Sequence, residues 1–185
     1  MKKMQVTESK YISEYMGYLG RAKTERLSFL ESVKILERAG FKDISKFATL
    51  KSGDKVYRGY EDRTIMAAVI GKRKISDSGL KVVGGHTDAP RLDLKPRPLY
   101  EDSEMCFFKT HYYGGIKKYQ WPTIPLALHG VVYRQDGSVI TITIGEKDDD
   151  PVLMVSDLLP HLAAEQMQKT AGKVIGAEQL NVILG

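Results

Sequence analysis

The chain has 185 residues, of which 42% are hydrophobic and 28% charged, and its formal net charge is +5, a composition that excludes disordered and fibrous proteins. No apolar run reaches the roughly 18 residues of a membrane-spanning helix, the basic N-terminus lacks the apolar segment of a signal peptide, and a single cysteine, Cys106, excludes an internal disulfide. Because the basic residues are scattered, we expect a solvated surface rather than a nucleic-acid interface, and a cytoplasmic protein with no membrane partner.

Two helices are predicted at the start of the chain. Apolar residues recur at three- and four-residue steps over residues 11–19, which indicates a helix that is buried on one face. Gly17 and Gly20 are expected to end or bend this helix. Thr24 is a candidate N-cap of a second helix, and Gly40 is its expected C-terminal stop.

Short segments rich in β-branched and aromatic residues follow the helices. They predict strands over residues 55–60, 64–70 and 81–83, with a turn at Asp77-Ser78-Gly79 before the last strand. Helices followed by strands in this way suggest the opening of a layered α/β domain.

The pattern changes beyond Pro98. Residues 105–112, 126–134 and 138–145 are predicted as strands, and residues 155–169 as one helix. Gln135-Asp136-Gly137 predicts a tight hairpin, because Asp-Gly supplies the positive φ angles that the turn needs. We therefore expect an α/β segment over 1–95, followed by a mainly antiparallel β domain over 96–185.

The residues that most suggest chemistry follow the predicted strand at 81–83. In an extended backbone His86 and Asp88 point to the same side, at a strand end where open α/β sheets bind ligands. A metal-bound imidazole needs an acceptor for its second nitrogen, and Asp88 suits that role. On spacing alone the signal is weak, because a His-x-Asp tripeptide often arises by chance and a lone histidine near a strand end is usually a hydrogen-bonded structural residue. Both interpretations stay open at this point.

A longer run, VGGHTDAPRLDLKP over residues 83–96, closely resembles the first metal motif of the aspartyl-aminopeptidase family of zinc peptidases. The resemblance continues at Tyr113-Gly114-Gly115, at Trp121 with the apolar segment 124–130, and at DLLPHLA over residues 157–163. It covers nearly the whole chain, and a run of this length is specific.

The resemblance implies a two-zinc aminopeptidase that acts on peptides. His86 would bind one zinc ion, and Asp88 would orient that imidazole. Two adjacent zinc ions would polarise the scissile carbonyl and generate a hydroxide near neutral pH. The free amino terminus of the substrate would be held beside them.

The resemblance also implies an inserted dimerisation domain directly after the motif. Members of the family form dimers that build up into hollow dodecamers, and a histidine of the inserted domain can reach a neighbouring active site. His161, in its Pro-His-Leu context, is the candidate for this catalytic role. The alternative is that His161 only stabilises the start of a helix.

The sequence departs from the family's pattern in several places. The bridging aspartate, a Glu-Glu pair with the general base, a further carboxylate and a final histidine would follow the inserted domain, and no Glu-Glu pair occurs in these residues. After Trp121 the chain reads PTIPL in place of an Asp-Arg pair, which suggests a divergent bacterial branch and leaves a preference for acidic substrates in doubt. Asp148-Asp149-Asp150 is expected to be a solvated turn. His111 is expected at the surface of a loop, with a position lining a pocket beside Tyr112-Tyr113 as the alternative. His129 is expected to be a hydrogen-bonded residue of the core or of an interface.

Two functions remain open. The chain is either the N-terminal portion of a zinc aminopeptidase, inactive without the remaining ligands, or a non-catalytic oligomerisation module derived from that family. One imidazole cannot hold zinc tightly, since catalytic zinc sites normally use three protein ligands and a water. Zinc binding and turnover therefore discriminate between the two.

Overall fold

The computed structural model describes residues 2–87 and 89–185, with side chains from Ser9 onward. The chain forms two compact units, Met1–Ala89 and Pro90–Gly185. Within the described residues no helix is both long and apolar enough to cross a bilayer.

The first unit combines two long helices with a three-stranded sheet. In chain order its elements are α1 (Lys2–Arg21), α2 (Glu25–Arg38), β1 (Lys42–Asp43), β2 (Lys55–Tyr60), β3 (Thr64–Val69) and α3 (Ile75–Ser78). β2 lies between its neighbours, parallel to β1 and antiparallel to β3. The two helices and the strands predicted near 55–60 and 64–70 are confirmed.

Helix α1 differs from its prediction in two ways. It continues through Gly17 and Gly20 to Arg21, because a glycine weakens a helix by only about 1 kcal/mol and does not remove its hydrogen bonds. The apolar face expected to be buried is exposed, and its members are Tyr11, Ile12, Tyr15, Met16 and Leu19. The periodicity thus indicates the helix correctly, but the described residues do not cover its apolar face.

Helix α2 has the ends that the sequence predicts. Thr24 is extended, and its hydroxyl oxygen accepts a hydrogen bond from the Leu27 amide at 3.2 Å. Past the other end, Gly40 adopts a φ of 86°, a conformation that favours glycine. The Phe41 amide then donates to the Leu36 carbonyl at 2.9 Å, which satisfies a terminal carbonyl of the helix.

Replacing Thr24 by alanine should lower the free energy of unfolding by about 1 kcal/mol, because an amide of the first turn loses its acceptor. Thr24→Ser keeps a hydroxyl and should stay close to the unchanged protein. Urea denaturation followed by far-UV circular dichroism measures both variants. Equal losses in the two variants would contradict a capping role.

A buried carboxylate joins the two helices. The Glu31 side chain accepts a hydrogen bond from Arg21 Nε at 2.7 Å, and it lies 3.4 Å from Lys34 Nζ and 3.7 Å from Arg38 Nη2. The hydrogen bond from Arg21 is the main cause that lowers the pKa of Glu31 below its ordinary 4.5, although burial acts in the opposite direction. The ionised form of Glu31 is therefore the form that the fold favours.

The stability of the first unit should fall in acid because of this pair. A carboxyl group whose folded pKa is depressed contributes stability above its unfolded pKa of about 4.5, and this contribution is lost as the pH falls through the folded value. We expect Glu31→Gln to cost about 1 kcal/mol at neutral pH, since water screens the half-exposed guanidinium. Unfolding curves at several pH values should converge for the two proteins in acid. A constant difference at all pH values would contradict this origin.

Packing inside the first unit is limited. Among the side chains that the structure describes in this unit, the buried hydrophobic ones are Ala22, Phe29, Val56 and Tyr57. The Phe29 ring lies directly over Gly59, where an added Cβ would come within 2.5 Å of the ring, so β2 has to carry a glycine here. This contact packs α2 against one face of the sheet.

The strand predicted at 81–83 is absent: residues 80–87 have no regular secondary structure. The side chains of Val82 and Val83 are 80% and 100% exposed. A strand requires a neighbouring backbone for its hydrogen bonds, and the described residues provide none here. The β-branched residues predict a strand correctly only where a partner is present.

The second unit is mainly antiparallel β structure. In chain order its elements are β4 (Arg91–Asp102), β5 (Met105–Tyr113), β6 (Leu128–Tyr133), β7 (Val139–Ile144), β8 (Leu153–Val155), α4 (Ala164–Met167) and β9 (Val182–Leu184). One sheet has the order β4-β5-β9-β8, and β6 pairs with β7 as a hairpin. The three strands predicted in this region and the tight turn are confirmed, with Gly137 at a φ of 83°.

Two features of this unit differ from the prediction. β4 is not among the predicted strands. Pro96 and Pro98 lack an amide donor, and the strand accommodates both in an irregularity where residues 95–98 lie opposite Lys109 alone. The predicted division at 95/96 thus falls inside β4. The helix predicted over 155–169 is wrong, since Val155 pairs with Val182 in the sheet and only Ala164–Met167 is α-helical.

The core of the second unit lies around β8 and β9. Its buried members are Leu153, Val155, Ile175, Leu180 and Val182. The hydroxyl of buried Thr110 donates to the Leu180 carbonyl, which ties β5 to the residues before β9. Tertiary pairing of β8 with β9 therefore outweighs the helical pattern of the residues that follow.

Candidate metal-binding segment

His86 lies on an exposed segment near the end of the first unit. The two glycines before it, Gly84 and Gly85, have open surroundings, since an added Cβ at either would meet nothing within 4 Å. Glycines permit another group to approach the backbone closely, but no described residue does so here. Asp88, the predicted orienting partner, lies outside the described residues.

The described residues do not complete a zinc site around His86. They contain no group of three or more His, Cys, Asp or Glu side chains that could hold a metal ion. The other three histidines, His111, His129 and His161, all belong to the second unit. A catalytic zinc ion normally takes three protein ligands, so a catalytic metal at His86 needs ligands from beyond the residues described.

His161 lies in the second unit, on a short 3-10 turn over Pro160–Leu162. Its side chain is exposed, and so are those of Leu158, Leu159 and Leu162 around it. The predicted α-helix start is therefore a single turn, closed by a hydrogen bond from the Leu162 amide to the Leu159 carbonyl at 2.9 Å. The imidazole therefore lies exposed on an apolar part of the surface of the second unit.

The remaining histidines have structural surroundings. His111 is exposed on β5, with its ring stacked on Tyr112 at 5.3 Å. His129 is largely buried on β6, and its Nε2 lies 2.8 Å from the Glu146 carboxylate. Its Nδ1 is buried and has no hydrogen-bond partner within the residues the structure describes. His111 is thus at the surface as expected, but on a strand and not in a loop. His129 is largely buried as expected, although only one of its two ring nitrogens has a hydrogen-bond partner among the described residues.

Asp150 has a role that the sequence does not reveal. One of its carboxylate oxygens accepts hydrogen bonds from the amides of Gly145, Glu146 and Lys147 at 2.8, 3.0 and 3.1 Å. These bonds, that from Lys147 foremost, lower the pKa of Asp150 although partial burial acts to raise it. The acidic run is therefore an ordered turn after β7, and Asp150 organises its backbone.

The charged residues in the second half of the motif are paired within the second unit. Arg91 Nε donates to Asp93 at 2.7 Å, and the Arg91 guanidinium lies 3.9 Å from the centre of the Tyr113 ring. Lys95 Nζ donates to Glu178 at 2.6 Å, and this bond is the main cause that lowers the pKa of Glu178. The charged side chains of residues 91–95 thus stabilise β4.

Comparison with known proteins defines the class as a metallopeptidase. The family of aminopeptidase I zinc metalloproteases (M18) matches residues 18–184, and the chain therefore belongs to the M18 family. It is 48% identical over 177 residues to a probable M18 family aminopeptidase 1 of Thermotoga neapolitana, and 47% identical over 175 residues to that of Clostridium acetobutylicum. These matches confirm the resemblance inferred from the motif.

The fold is also that of the family. The crystal structure of an M18 family aminopeptidase from Thermotoga maritima matches 95% of this chain with a TM-score of 0.84 at 42% identity. The chain spans only 38% of that structure's chain, and 38% and 37% of the Thermotoga neapolitana and Clostridium acetobutylicum proteins. The mixed α/β architecture is thus shared with less than two fifths of a longer relative.

Proposed function

We propose that this chain supplies the N-terminal part of a zinc aminopeptidase that removes N-terminal residues from peptides. His86 provides one zinc ligand, and Asp88 is the acceptor that orients its imidazole. The family match over residues 18–184, which includes the motif around His86, carries this proposal. Because the described residues hold no further cluster of metal ligands, we expect the 185-residue chain alone to be inactive.

The second unit is proposed to act as the family's inserted dimerisation domain, with homo-oligomers as the active form in the cytoplasm. Its separate core around Leu180 and its antiparallel sheet support a domain of its own. The exposed leucines around His161 form an apolar surface of the kind that marks interfaces. His161 is proposed to reach the active site of a neighbouring subunit from this surface.

A non-catalytic oligomerisation module is the second candidate function. It is favoured by the contrast between a well-packed second unit and a first unit in which the described residues assemble no metal cluster. Both candidates predict oligomers, but only the first predicts that the chain takes part in hydrolysis.

The test compares the chain alone with the chain co-expressed with the part of the Thermotoga maritima relative that follows the matched region. Zinc content by mass spectrometry and hydrolysis of aminoacyl-naphthylamides are the readouts. We expect weak zinc binding and no turnover for the chain alone, and stoichiometric zinc with turnover for the combination. Turnover by the chain alone would overturn the need for further ligands, and an oligomer without turnover in the combination would favour the module.

A further inference from the structure

Positive charge is concentrated in the first unit. This unit carries 18 lysine and arginine residues against 11 aspartate and glutamate residues, whereas the second unit carries 10 against 12. The formal net charge of +5 and the pI near 9.1 therefore originate in the first unit. Charge asymmetry of this kind between two parts of a chain suggests that the basic part meets an anionic partner.

The fold brings basic side chains from separate segments together at one end of the three-stranded sheet. This is the end at which β2 begins and β3 ends. The Gly53 amide donates to the Ile70 carbonyl at 2.8 Å, so the loop before β2 lies beside the loop after β3. β1 begins at the same end, because its first residue, Lys42, lies opposite Val56 near the start of β2.

Six basic residues belong to this end of the sheet, which we call the basic end: Lys42, Lys51, Lys55, Lys72, Arg73 and Lys74. Lys51 and Lys72 are each two residues away from the hydrogen bond that joins the two loops, a span of about 7 Å at most. All six residues are exposed. Their spread along the sequence gives no sign of this arrangement, which depends on the pairing of the strands.

Few carboxylates oppose these charges. Asp54 and Asp77 lie nearby, but Asp54 accepts a hydrogen bond from the Lys51 amide at 2.6 Å, and Asp77 accepts one from the hydroxyl of the preceding serine at 2.8 Å. At the opposite end of the sheet, Arg26 forms an ion pair with Asp62 at 3.1 Å. The charges there are matched, whereas six cations at the basic end lie beside two carboxylates.

We propose that the basic end binds the phosphate backbone of a nucleic-acid duplex without reading its sequence. Exposed lysines bind phosphate groups as point charges, and such contacts carry no sequence information. A duplex presents about one negative charge per 1.7 Å of its axis on a rigid scaffold. It therefore matches a fixed group of cations better than an acidic peptide, which loses conformational entropy when it becomes ordered. This binding requires neither zinc nor hydrolysis.

The first test measures how binding depends on salt. Fluorescence anisotropy follows a labelled DNA duplex of about 20 base pairs, or the RNA duplex of the same sequence, as the 185-residue chain is added. With four or more phosphate contacts, affinity should fall by about 100-fold between 50 and 200 mM salt. Equal affinity for the two duplexes would identify backbone charge as the determinant, and tighter binding of one would identify the nucleic acid that the surface prefers. Absence of binding to both at 50 mM salt would overturn the proposal.

A pair of matched variants localises the surface. The test variant replaces three neighbouring basic residues by glutamine: Lys72→Gln, Arg73→Gln and Lys74→Gln. The control removes the same charges from exposed positions of the second unit: Lys117→Gln, Arg134→Gln and Lys173→Gln. The test variant should bind at least about tenfold more weakly at 50 mM salt and should lower the salt slope by about 3, whereas the control should stay within about twofold of the unchanged protein. Equal losses would show that binding follows net charge alone and would overturn the assignment to the basic end.

Two measurements on the unchanged protein test the proposal even if a variant folds poorly. In lysine acetylation followed by mass spectrometry, the duplex should protect Lys51, Lys72 and Lys74 and leave Lys117 and Lys173 reactive. Protection of the last two alone would contradict the proposed surface. Poly-glutamate serves as a competitor: if it displaces the labelled duplex at a lower concentration of charge than unlabelled duplex does, the partner is an acidic polypeptide and the proposal is wrong.

Discussion

Replacing Leu180 by alanine should lower the free energy of unfolding of the second unit by about 2–5 kcal/mol. Leu180 is 0% exposed and lies in the cluster formed by residues before and within β8 and β9. The loss combines the transfer of apolar atoms to water with the cavity that they leave. The hydrogen bond from the Thr110 hydroxyl to the Leu180 carbonyl holds the backbone of this position in place, so the surrounding residues can close the cavity only partly.

Urea denaturation of the purified protein measures this effect, with tryptophan fluorescence as the probe because Trp121 packs against the same core. Leu99→Ala is the matched control, since this leucine belongs to the same unit but is 65% exposed and lies outside the apolar surface around His161. It should shift the free energy of unfolding by no more than about 0.5 kcal/mol. A comparable loss in both variants would show that the core is not centred on Leu180.

Replacing His86 by alanine in the combined enzyme should lower zinc affinity by about 100-fold or more, and hydrolysis should fall in parallel. Loss of a direct ligand should exceed the roughly 10–100-fold effect that removing an orienting residue typically has on metal affinity. Asp88→Asn should fall in that smaller range, because the asparagine oxygen still accepts a hydrogen bond from the imidazole. The ratio between the two variants therefore tests the separate roles proposed for His86 and Asp88.

The measurement is a competition titration of zinc against a fluorescent chelator, with kcat/KM for an aminoacyl-naphthylamide measured on the same samples. His111→Ala is the control, since this imidazole is exposed on β5 and contacts Tyr112 rather than the motif. It should leave both values unchanged. If His86→Ala behaves like the control, His86 is not a zinc ligand, and the role inferred for it from the family's motif is wrong.

Local signals predict the parts of the fold that short-range hydrogen bonds determine. Thr24 and Gly40 delimit α2 because capping depends on residues within one helical turn. The turn around Gly137 likewise depends on the φ angle of a single residue. In both places the sequence contains all the partners of the interaction, so the prediction and the structure agree.

Long-range pairing explains the errors. β4 contains two prolines that argue against a strand, yet β5 pairs on both sides of the irregularity that accommodates them. Val155 opens a stretch with helical periodicity but belongs to β8, because β9 lies 27 residues further along and pairs with it. No local sequence pattern in either segment indicates the strand with which it pairs.

The candidate site shows the same limit. The motif predicts the role of His86 from a resemblance, but a zinc site is a set of ligands from several parts of a fold. The apolar pattern of Val82 and Val83 likewise predicts burial, and the described residues leave both exposed. The apolar composition of this segment therefore corresponds to a buried environment, and the described residues alone do not form it.

The two prolines in β4 also bear on how copies of this chain aggregate. β4 forms one edge of the four-stranded sheet, and Pro96 and Pro98 deprive that edge of two amide donors, so an approaching strand finds an interrupted ladder. At the opposite edge, bridges from Pro122 and Leu126 already occupy β8. Fibrillar growth by strand addition is therefore hindered at both edges of the four-stranded sheet. Under heat or acid stress, misassembly should begin at β3, an outer strand of the first unit that carries neither a charged residue nor a proline.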